Sequence, residues 1–555
     1  MAGDQQLSLL LDSAVRFPLP NGLRFSYGTS GFRSDGSVLA STVHRSGIVA
    51  ALRSLKTRST AGLVITASHN PVCDNGVKIA DPDGSMMDQS WEPFANAIAN
   101  APDPNSLAQL VLQFAKDEKI PLGGAQSAEV LLARDTRPTG EALLEAAKQG
   151  ISSIIGAVAI DMGVLTTPEL HWMVRNWNKG TRATESDYFA QISKSFRSLM
   201  ELAPNENLNL NAVEKKLIVD GANGVGGAKL EEIKKNIIGL EIDVRNTGKE
   251  GEGLLNEGCG ADFVQKEKFA PSGFCSDDLG IRCASLDGDA DRLVFFRLIP
   301  NTNNKIELVD GDKILSLFAI FIQEQLSLLE ELPARLGVIQ TAYANGAATD
   351  YLRNLGLEVI FTPTGVKYLH EKALEYDIGL YFEANGHGTV LFSKEFLSQL
   401  ELVNSELTSK MPGSEKQRAA SRLVAVTQLI NQAVGDALSG LFLVEAILHN
   451  KGWSFQKWCD LYQDLPSRQL KVKVADRTAI ETADAETRVV KPSALQELID
   501  TETAKYTHGR CFVRPSGTED VVRIYAEAAT QDSADSLANS VAQHVNSILG
   551  SDIKA

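Results

Sequence analysis

The chain has 555 residues and a formal charge of −16, which excludes a nucleic-acid partner because phosphates would be repelled by such a surface. An anionic small molecule can still bind in a locally basic cleft. Hydrophobic residues at 43%, 44 glycines and 6% aromatics fit a soluble α/β enzyme, and the length excludes a single ordinary core, so several domains are expected.

The N-terminus contains Asp4 and no basic stretch leading into a long apolar run, so neither a secretory signal nor a membrane span is expected. The apolar run Leu63-Val-Ile65 reads as a strand. It opens into Thr66-Ala-Ser-His-Asn-Pro71 and then Asp74-Asn-Gly-Val-Lys78. A serine hydroxyl needs a base, a metal or a preloaded phosphate to do chemistry. On a strand-to-loop corner Ser68 would stand exposed, with His69, Asn70 and Lys78 around it. The same residues also make an ordinary turn, since Asn-Pro and Asn-Gly both initiate turns.

Ala128 to Gly140 reads as a strand ending in a polar turn, followed by a helix from Glu141 to Gln149. Leu217 to Gly227 repeats the pattern before a helix near Ala228, and Gly337 to Gly346 does so a third time. Strands alternating with helices imply βαβ units and a mainly parallel sheet, and three such openings suggest three related domains. The glycines after Asp220 lack the opening Gly-Xaa-Gly of a dinucleotide fingerprint.

In Leu286-Asp-Gly-Asp-Ala-Asp-Arg292, three carboxylates alternate with small residues, a spacing that suits a hard cation such as Mg²⁺. An EF-hand is excluded, because positions six and twelve from Asp287 are Arg292 and Leu298 rather than Gly and Glu. An acidic surface turn fits poorly between Ala284-Ser-Leu286 and Leu293-Val-Phe-Phe296, two apolar runs that read as buried strands. Ile314 to Ile322 is too short to span a bilayer and reads as a buried helix.

Phe382-Glu-Ala-Asn-Gly-His-Gly-Thr389 lies between the apolar runs Ile378-Gly-Leu-Tyr381 and Val390-Leu-Phe392, so Glu383, Asn385 and His387 would sit at one rim. A carboxylate and an amide suit paired sugar hydroxyls. A plain hairpin turn with Asn-Gly at its tip is the alternative. Lys394 to Arg422 is polar and broken by Met411-Pro-Gly413, and a helix is expected from Leu423 through Leu448. Composition changes at Gly452 to Asp464, and Lys471-Val-Lys-Val-Ala475 opens a smaller α+β domain. There Arg514-Pro-Ser-Gly-Thr-Glu-Asp520 has the composition of a phosphate cradle, or of a polar hairpin loop. The six cysteines include no Cys-Xaa-Xaa-Cys pair and read as free thiols of a reducing compartment.

Taken in this order, the Thr-Ala-Ser-His-Asn-Pro, Asp-Gly-Asp-Ala-Asp-Arg, Glu-Ala-Asn-Gly-His and Arg-Pro-Ser-Gly-Thr-Glu loops resemble those of the α-D-phosphohexomutase superfamily over nearly the whole chain. Phosphoglucomutases and phosphomannomutases typically carry Glu-Xaa-Ser-Gly-His in the sugar loop. Here Glu383-Ala-Asn-Gly-His387 and Asn75 to Pro82 are similar to the branch acting on phosphorylated N-acetylglucosamine, with Asn385 offering room and a hydrogen bond for the acetyl group.

The resemblance implies three related mixed α/β domains plus a smaller C-terminal α+β domain around a central cleft. Residues 1–180 would carry the phosphoserine loop, 181–298 the metal loop, 299–455 the sugar loop and 456–555 the phosphate loop. Ser68 would be the phosphorylated carrier and, with Asp287, Asp289 and Asp291, would hold one Mg²⁺. Glu383, Ala384, Asn385 and His387 would bind the sugar. Arg514, Pro515, Ser516, Gly517, Thr518 and Arg523 would grip the non-reacting phosphate. Lys78, Arg33 and His69 would assist catalysis.

A hexose bisphosphate would be the activator, a sugar phosphate the substrate, and the protein a cytoplasmic monomer without a nucleic-acid or membrane partner. The alternatives are a phosphoglucomutase or phosphomannomutase, and a noncatalytic sugar-phosphate-binding protein. The intact set of serine, aspartates and cradle speaks against the last, because a binder has no need of a transferable phosphate.

Overall fold

The computed structural model describes residues 2–29, 31–123, 126–204, 215–516 and 520–549. The chain divides into two compact units. The first comprises Met1–Asp310, Asn385–Thr389 and Leu400–Ser454, and the second Gly311–Ala384, Val390–Gln399 and Phe455–Ala555.

In the first unit, strands β1 (Phe32–Asp35), β2 (Ala61–Ile65), β3 (Asp74–Ala80), β4 (Ala128–Arg134) and β5 (Ala157–Val164) form a sheet in the order β1-β3-β2-β4-β5. A second sheet holds β6 (Lys216–Asp220), β7 (Glu241–Arg245), β8 (Arg282–Leu286), β9 (Leu293–Leu298) and β10 (Ile306–Val309) in the order β10-β9-β8-β6-β7. Both sheets have one plan. Three parallel strands carry two antiparallel strands at one edge.

The mainly parallel sheet expected from the βαβ pattern is therefore corrected to a mixed one. Residues 66–73 and 287–292 are too short for a crossover helix and can only return the chain antiparallel. β10 pairs with β9, so the second sheet runs past the expected boundary at residue 298. β2 and β8 are buried along their whole length, as apolar strands covered on both faces must be. The helix Ala40–Thr57 lays Val43, Ile48, Leu52 and Leu55 into the core beneath the first sheet.

In the second unit, β11 (Leu336–Thr341), β12 (Glu358–Thr362), β13 (Ile378–Phe382) and β14 (Gly388–Phe392) form the sheet β12-β11-β13-β14, apart from Gly388 and Thr389, which count with the first unit. The buried helix Gly311–Ser327 contains the expected apolar run. Further on, β15 (Ser467–Lys473), β16 (Glu481–Ala483), β17 (Arg488–Lys491), β18 (Arg510–Pro515) and β19 (Val521–Glu527) make a β15-β19-β18 sheet and a β16-β17 pair. Val472, Val513, Val522 and Ile524 pack there on Leu495, Leu537 and Val541 of the helices Ser493–Thr503 and Gln531–Leu549.

The helix expected over Leu423 to Leu448 is two helices, Glu415–Leu429 and Ala437–Lys451. Asp436 caps the second by accepting from the Leu438 and Ser439 amides at 3.0 and 3.1 Å, a start signal that the apolar periodicity hides. No helix of the described residues is long and apolar enough to cross a membrane.

Each of the four motif loops joins neighbouring strands of one sheet: β2 to β3, β8 to β9, β13 to β14 and β18 to β19. Consecutive strands leave a short loop at the sheet's end; Ser68, the three aspartates, Glu383, Asn385 and His387 are on those loops, while Arg33, Lys78, Arg514 and Arg523 are on the strands beside them.

Candidate active site

Ser68 stands at the corner after β2, buried and with φ at 50°, a left-handed conformation that a residue with a Cβ rarely adopts. Its hydroxyl donates to Asp289 Oδ2 at 3.0 Å and accepts from Lys78 Nζ at 2.8 Å and Arg33 Nη2 at 3.2 Å. Lys78 comes from β3, which runs antiparallel beside β2, and Arg33 from β1 on the other side of β3. The folding of one edge thus delivers two cations to one oxygen.

Lys78 also donates to Asp289 Oδ2 at 2.9 Å and Asp291 Oδ2 at 3.0 Å. Burial works against its charge, but the two carboxylates outweigh it and raise its pKa, so Lys78 is an ammonium. Burial and the Arg292 guanidinium push the His69 imidazole down to about 3, so His69 is neutral at physiological pH and carries no imidazolium charge.

Asp287, Asp289 and Asp291 are all buried, each with a carboxylate oxygen within 4.8 Å of the others. Asp287 Oδ1 accepts from the Asp291 and Arg292 amides at 3.0 and 3.1 Å, which folds the loop inward. A Cβ on Gly288 would come within 2.5 Å of Ser68 O, so only glycine lets the carboxylate loop approach the serine loop this closely. Burial and the two neighbouring acids push Asp287 well up. Asp291 is held well below its ordinary value, with Lys78 and His387 overcoming the effect of burial.

Asp287 Oδ2, Asp289 Oδ1 and Asp291 Oδ1 are buried without a hydrogen-bond partner. Lys78 pairs with the other oxygens of Asp289 and Asp291, and the three open oxygens suit a further cation; an all-oxygen donor set matches a hard divalent one. The residues fit Mg²⁺.

The sugar-loop residues divide between the two units. In the first, His387 Nδ1 lies 2.9 Å from Asp291 O and 3.4 Å from Asp291 Oδ1, so His387 packs on the acid loop. The Gly386 carbonyl accepts from the Leu293 amide at 3.1 Å; Gly386 has φ at +87°, and a Cβ there would strike Leu293 O at 2.0 Å. Asn385 Oδ1 accepts from the His387 amide at 2.9 Å, which shapes the turn and leaves Nδ2 as the group able to reach outward. In the second unit, Glu383 and Ala384 are partly exposed at the end of β13, and the Ala384 carbonyl accepts from the Gly311 amide at 3.3 Å.

Arg514 on β18 sits directly opposite Arg523 on β19, which in turn sits opposite Lys471 on β15. Three cations in register across one sheet face repel one another and call for an anion. Arg514 Nε donates to Tyr343 Oη at 3.0 Å, and its Nη1 lies 3.7 Å from Glu486 Oε1, while Glu486 Oε2 accepts from the Thr364 amide at 2.9 Å. Pro515 pairs opposite Val522, and the Ser516 amide donates to Val521 O at 2.9 Å. Gly517 and Thr518 lie outside the described residues.

Sequence reasoning missed several residues here, Lys471 among them. Thr167 Oγ1 donates to Asp289 Oδ2 at 2.6 Å and its amide donates to Asp289 O at 3.2 Å, which turns Asp289 Oδ1 free. Arg292 Nη1 donates to Asp262 Oδ1 at 2.6 Å, with Nε 3.9 Å from Asp291 Oδ1. Arg137 and Asn256 both bond the Ser68 carbonyl. The only local signal was the Arg-Asp-Thr-Arg turn after β4.

Thr167 is aimed by a capping box at the start of the helix Thr167–Asn178. Thr166 Oγ1 accepts from the Glu169 amide at 3.1 Å, and Glu169 Oε2 accepts from the Thr166 amide at 2.7 Å. Burial pushes the Glu169 carboxyl up to about 7. Between its ordinary value and about 7 the folded state keeps a proton that the unfolded chain has lost, so stability falls as pH rises through that window. Glu169→Gln is expected to flatten this slope. It should stabilise the protein by up to about 3 kcal/mol at pH 8 and by nothing at pH 4, read from denaturant unfolding at both. Equal differences at the two pH values would refute the assignment.

A serine held by cations beside a buried carboxylate triad, on a repeated mixed-sheet plan, defines a centre of the phosphohexomutase class. Two family models described as phosphoacetylglucosamine mutase AMG1 match the chain, domain II over residues 178–294 and domain III over 310–453. Phosphoglucomutase/phosphomannomutase models match with the alpha/beta/alpha domain I over 42–104 and 99–184 and with the C-terminal domain over 470–544. The phosphoacetylglucosamine mutase of Oryza sativa subsp. japonica is 65% identical, covering 99% of this chain and 99% of that protein.

The structure of Aspergillus fumigatus N-acetylphosphoglucosamine mutase with GlcNAc-6P and magnesium is similar at a TM-score of 0.89 and 40% identity, covering 99% of each chain. A structure of a serine-to-alanine variant of that enzyme, with glucose 1,6-bisphosphate, has a TM-score of 0.88 at 40% identity and covers 98% of this chain and 99% of that one. The chain belongs to the phosphoacetylglucosamine mutase family.

Proposed function

We propose that this chain is a mutase that interconverts N-acetylglucosamine 6-phosphate and N-acetylglucosamine 1-phosphate, with Ser68 as the phosphoryl carrier and a bisphosphorylated sugar as the intermediate. The carrying observation is the Ser68 hydroxyl, 2.8 Å from the Lys78 ammonium and 3.0 Å from Asp289. The A. fumigatus relative in complex with GlcNAc-6P and magnesium supports the substrate and the metal.

Phosphoryl transfer passes through a loose transition state with charge spread over the equatorial oxygens, so catalysis rests on position and on cations aimed at that charge. Lys78 and Arg33 are so aimed, since both already donate to the oxygen on which the phosphoryl group would sit. Lys78 brings positive charge to that oxygen. Asp287, Asp289 and Asp291 would hold Mg²⁺, which when bound neutralises phosphoryl oxygens. Glu383, Asn385 and His387 serve the sugar in this reading. Arg514, Arg523 and the Ser516 turn serve the distal phosphate, with Lys471 extending the same row.

After the first transfer the sugar must turn so that its other end meets Ser68, and a cradle of point charges and repeated hydroxyl contacts tolerates both orientations. We assign the four segments to the four tasks named above, with the second extended to the end of β10. The six free cysteines support a cytoplasmic setting, and we take the working form to be a monomer.

A side-by-side assay with the 6-phosphates of N-acetylglucosamine, glucose and mannose tests the substrate. We expect kcat/KM for the acetylated sugar to exceed the others by roughly tenfold or more, the worth of one or two well-placed polar contacts. Equal values for the three would favour a general hexose phosphate mutase.

A further inference from the structure

We propose that Arg137 and Asn256 form a two-sided clamp that holds Ser68 in its left-handed conformation, so that its hydroxyl meets the carboxylate triad; this deepens the phosphoserine reading above and rests on it. Neither residue bonds the hydroxyl. Both are positioning residues.

Arg137 lies in the turn after β4 with its side chain fully buried. Its Nε donates to Asp135 Oδ2 at 2.9 Å, Nη1 to Asp74 O at 2.8 Å and to Pro71 O, and Nη2 to Ser68 O at 3.0 Å and Asn70 O at 2.9 Å. Every N–H of the guanidinium therefore has an acceptor; three of the five acceptors are carbonyls of the serine loop and a fourth is that of Asp74, where β3 begins. A buried guanidinium is costly, and a fold that needed only packing would place an apolar side chain here.

The same arginine reaches the other side of residue 68 indirectly. Asp135 Oδ2 accepts from Thr66 Oγ1 at 2.7 Å, and Thr66 Oγ1 accepts from the Ser68 amide at 2.9 Å. Both flanks of the serine are thus tied to one ion pair.

Asn256 closes the clamp from a separate loop. Its Nδ2 donates to Ser68 O at 2.8 Å and Asn70 O at 3.1 Å, the same two carbonyls that Arg137 Nη2 holds. With φ at 50°, Ser68 is in a conformation that an isolated chain would abandon. Released, the loop would relax and swing the hydroxyl away from Lys78 and Asp289, and displacement on the order of 1 Å is enough to cost about a hundredfold in rate.

The test follows label from phosphorus-labelled glucose 1,6-bisphosphate onto Ser68 in the full-length protein, comparing wild type, Arg137→Lys, Arg137→Ala with and without added guanidinium, and Asn256→Ala. Arg137→Lys keeps the charge but loses the fork. We expect it to slow transfer by roughly a hundredfold and Asn256→Ala by about tenfold, each with half-saturation by the bisphosphate within about twofold of wild type. Guanidinium should restore transfer in Arg137→Ala and do nothing for Asn256→Ala, a split that general loss of stability would not produce.

Folded Arg137→Lys and Asn256→Ala proteins that label at the wild-type rate would overturn the clamp alone. If the Arg137 variants do not fold, Asn256→Ala decides by the same criterion. A wild-type protein that labels at a residue other than Ser68 overturns the carrier reading and the clamp together.

Discussion

Ser68→Ala is expected to lower turnover by on the order of 10⁴ or more while leaving a folded protein, because in the proposed reading it removes the phosphoryl carrier, the oxygen on which Lys78 and Arg33 converge. Other oxygen nucleophiles lie near, the Thr167 hydroxyl and the carboxylates, but the Ser68 hydroxyl is where Lys78 and Arg33 meet. The fold should survive, since alanine enters the same strained corner and the loop carbonyls keep their donors. Intact mass and phosphopeptide mapping after incubation with glucose 1,6-bisphosphate give the readout. Wild type should gain one phosphoryl group on the peptide containing Ser68, and the variant none. Turnover by Ser68→Ala near the wild-type rate would remove the serine from the mechanism.

The second large effect is at Asp289. Three donors converge on its Oδ2, from Ser68, Lys78 and Thr167, while Oδ1 has no partner. Asp289→Ala removes a hydrogen-bond partner of the serine and, in the proposed reading, one ligand of the metal. Turnover should fall by roughly 10³ or more, and Mg²⁺ affinity by about a hundredfold. Cooperative melting should persist, because packing around the triad comes from the buried strands β8 and β9 rather than from the acid itself. Calorimetric titration with Mg²⁺, circular dichroism and turnover separate these effects. Near-normal turnover with Mg²⁺ as the sole divalent ion would refute the metal assignment.

Much of the site was legible because its chemistry is concentrated in short stretches. Ser68 and Lys78 lie within one hairpin, the three aspartates within five residues, and the Arg514 loop within one strand connection. Alternation of acids with small residues between two apolar runs was enough to place Asp287, Asp289 and Asp291 on a tight, buried turn. The residues that went unread are those whose meaning depends on a distant partner. Thr167 serves Asp289 from 122 positions away, and Asn256 serves Ser68 from 188. Arg137 looked like part of a polar turn, and only the approach of the serine loop 69 positions earlier in the chain shows where its fork goes. The break at Asp436 was hidden for another reason, since apolar residues on both sides of the gap keep an unbroken pattern while a cap bond starts a new helix.

By itself the sequence determined which local elements form and which chemical groups sit at their ends, because strand and helix periodicity and turn chemistry act over a few residues. It therefore gave the four loops and their order, and the donor and acceptor groups that each one carries. The tertiary structure decided how those ends meet: which sheet edges run antiparallel, that Lys78 is an ammonium, that His69 is neutral, and that His387 packs on the acid loop. These depend on burial and on charges brought together from far along the chain. Hydrogen bonds and Coulomb forces act through space, and only the pairing of strands sets the distances over which they work.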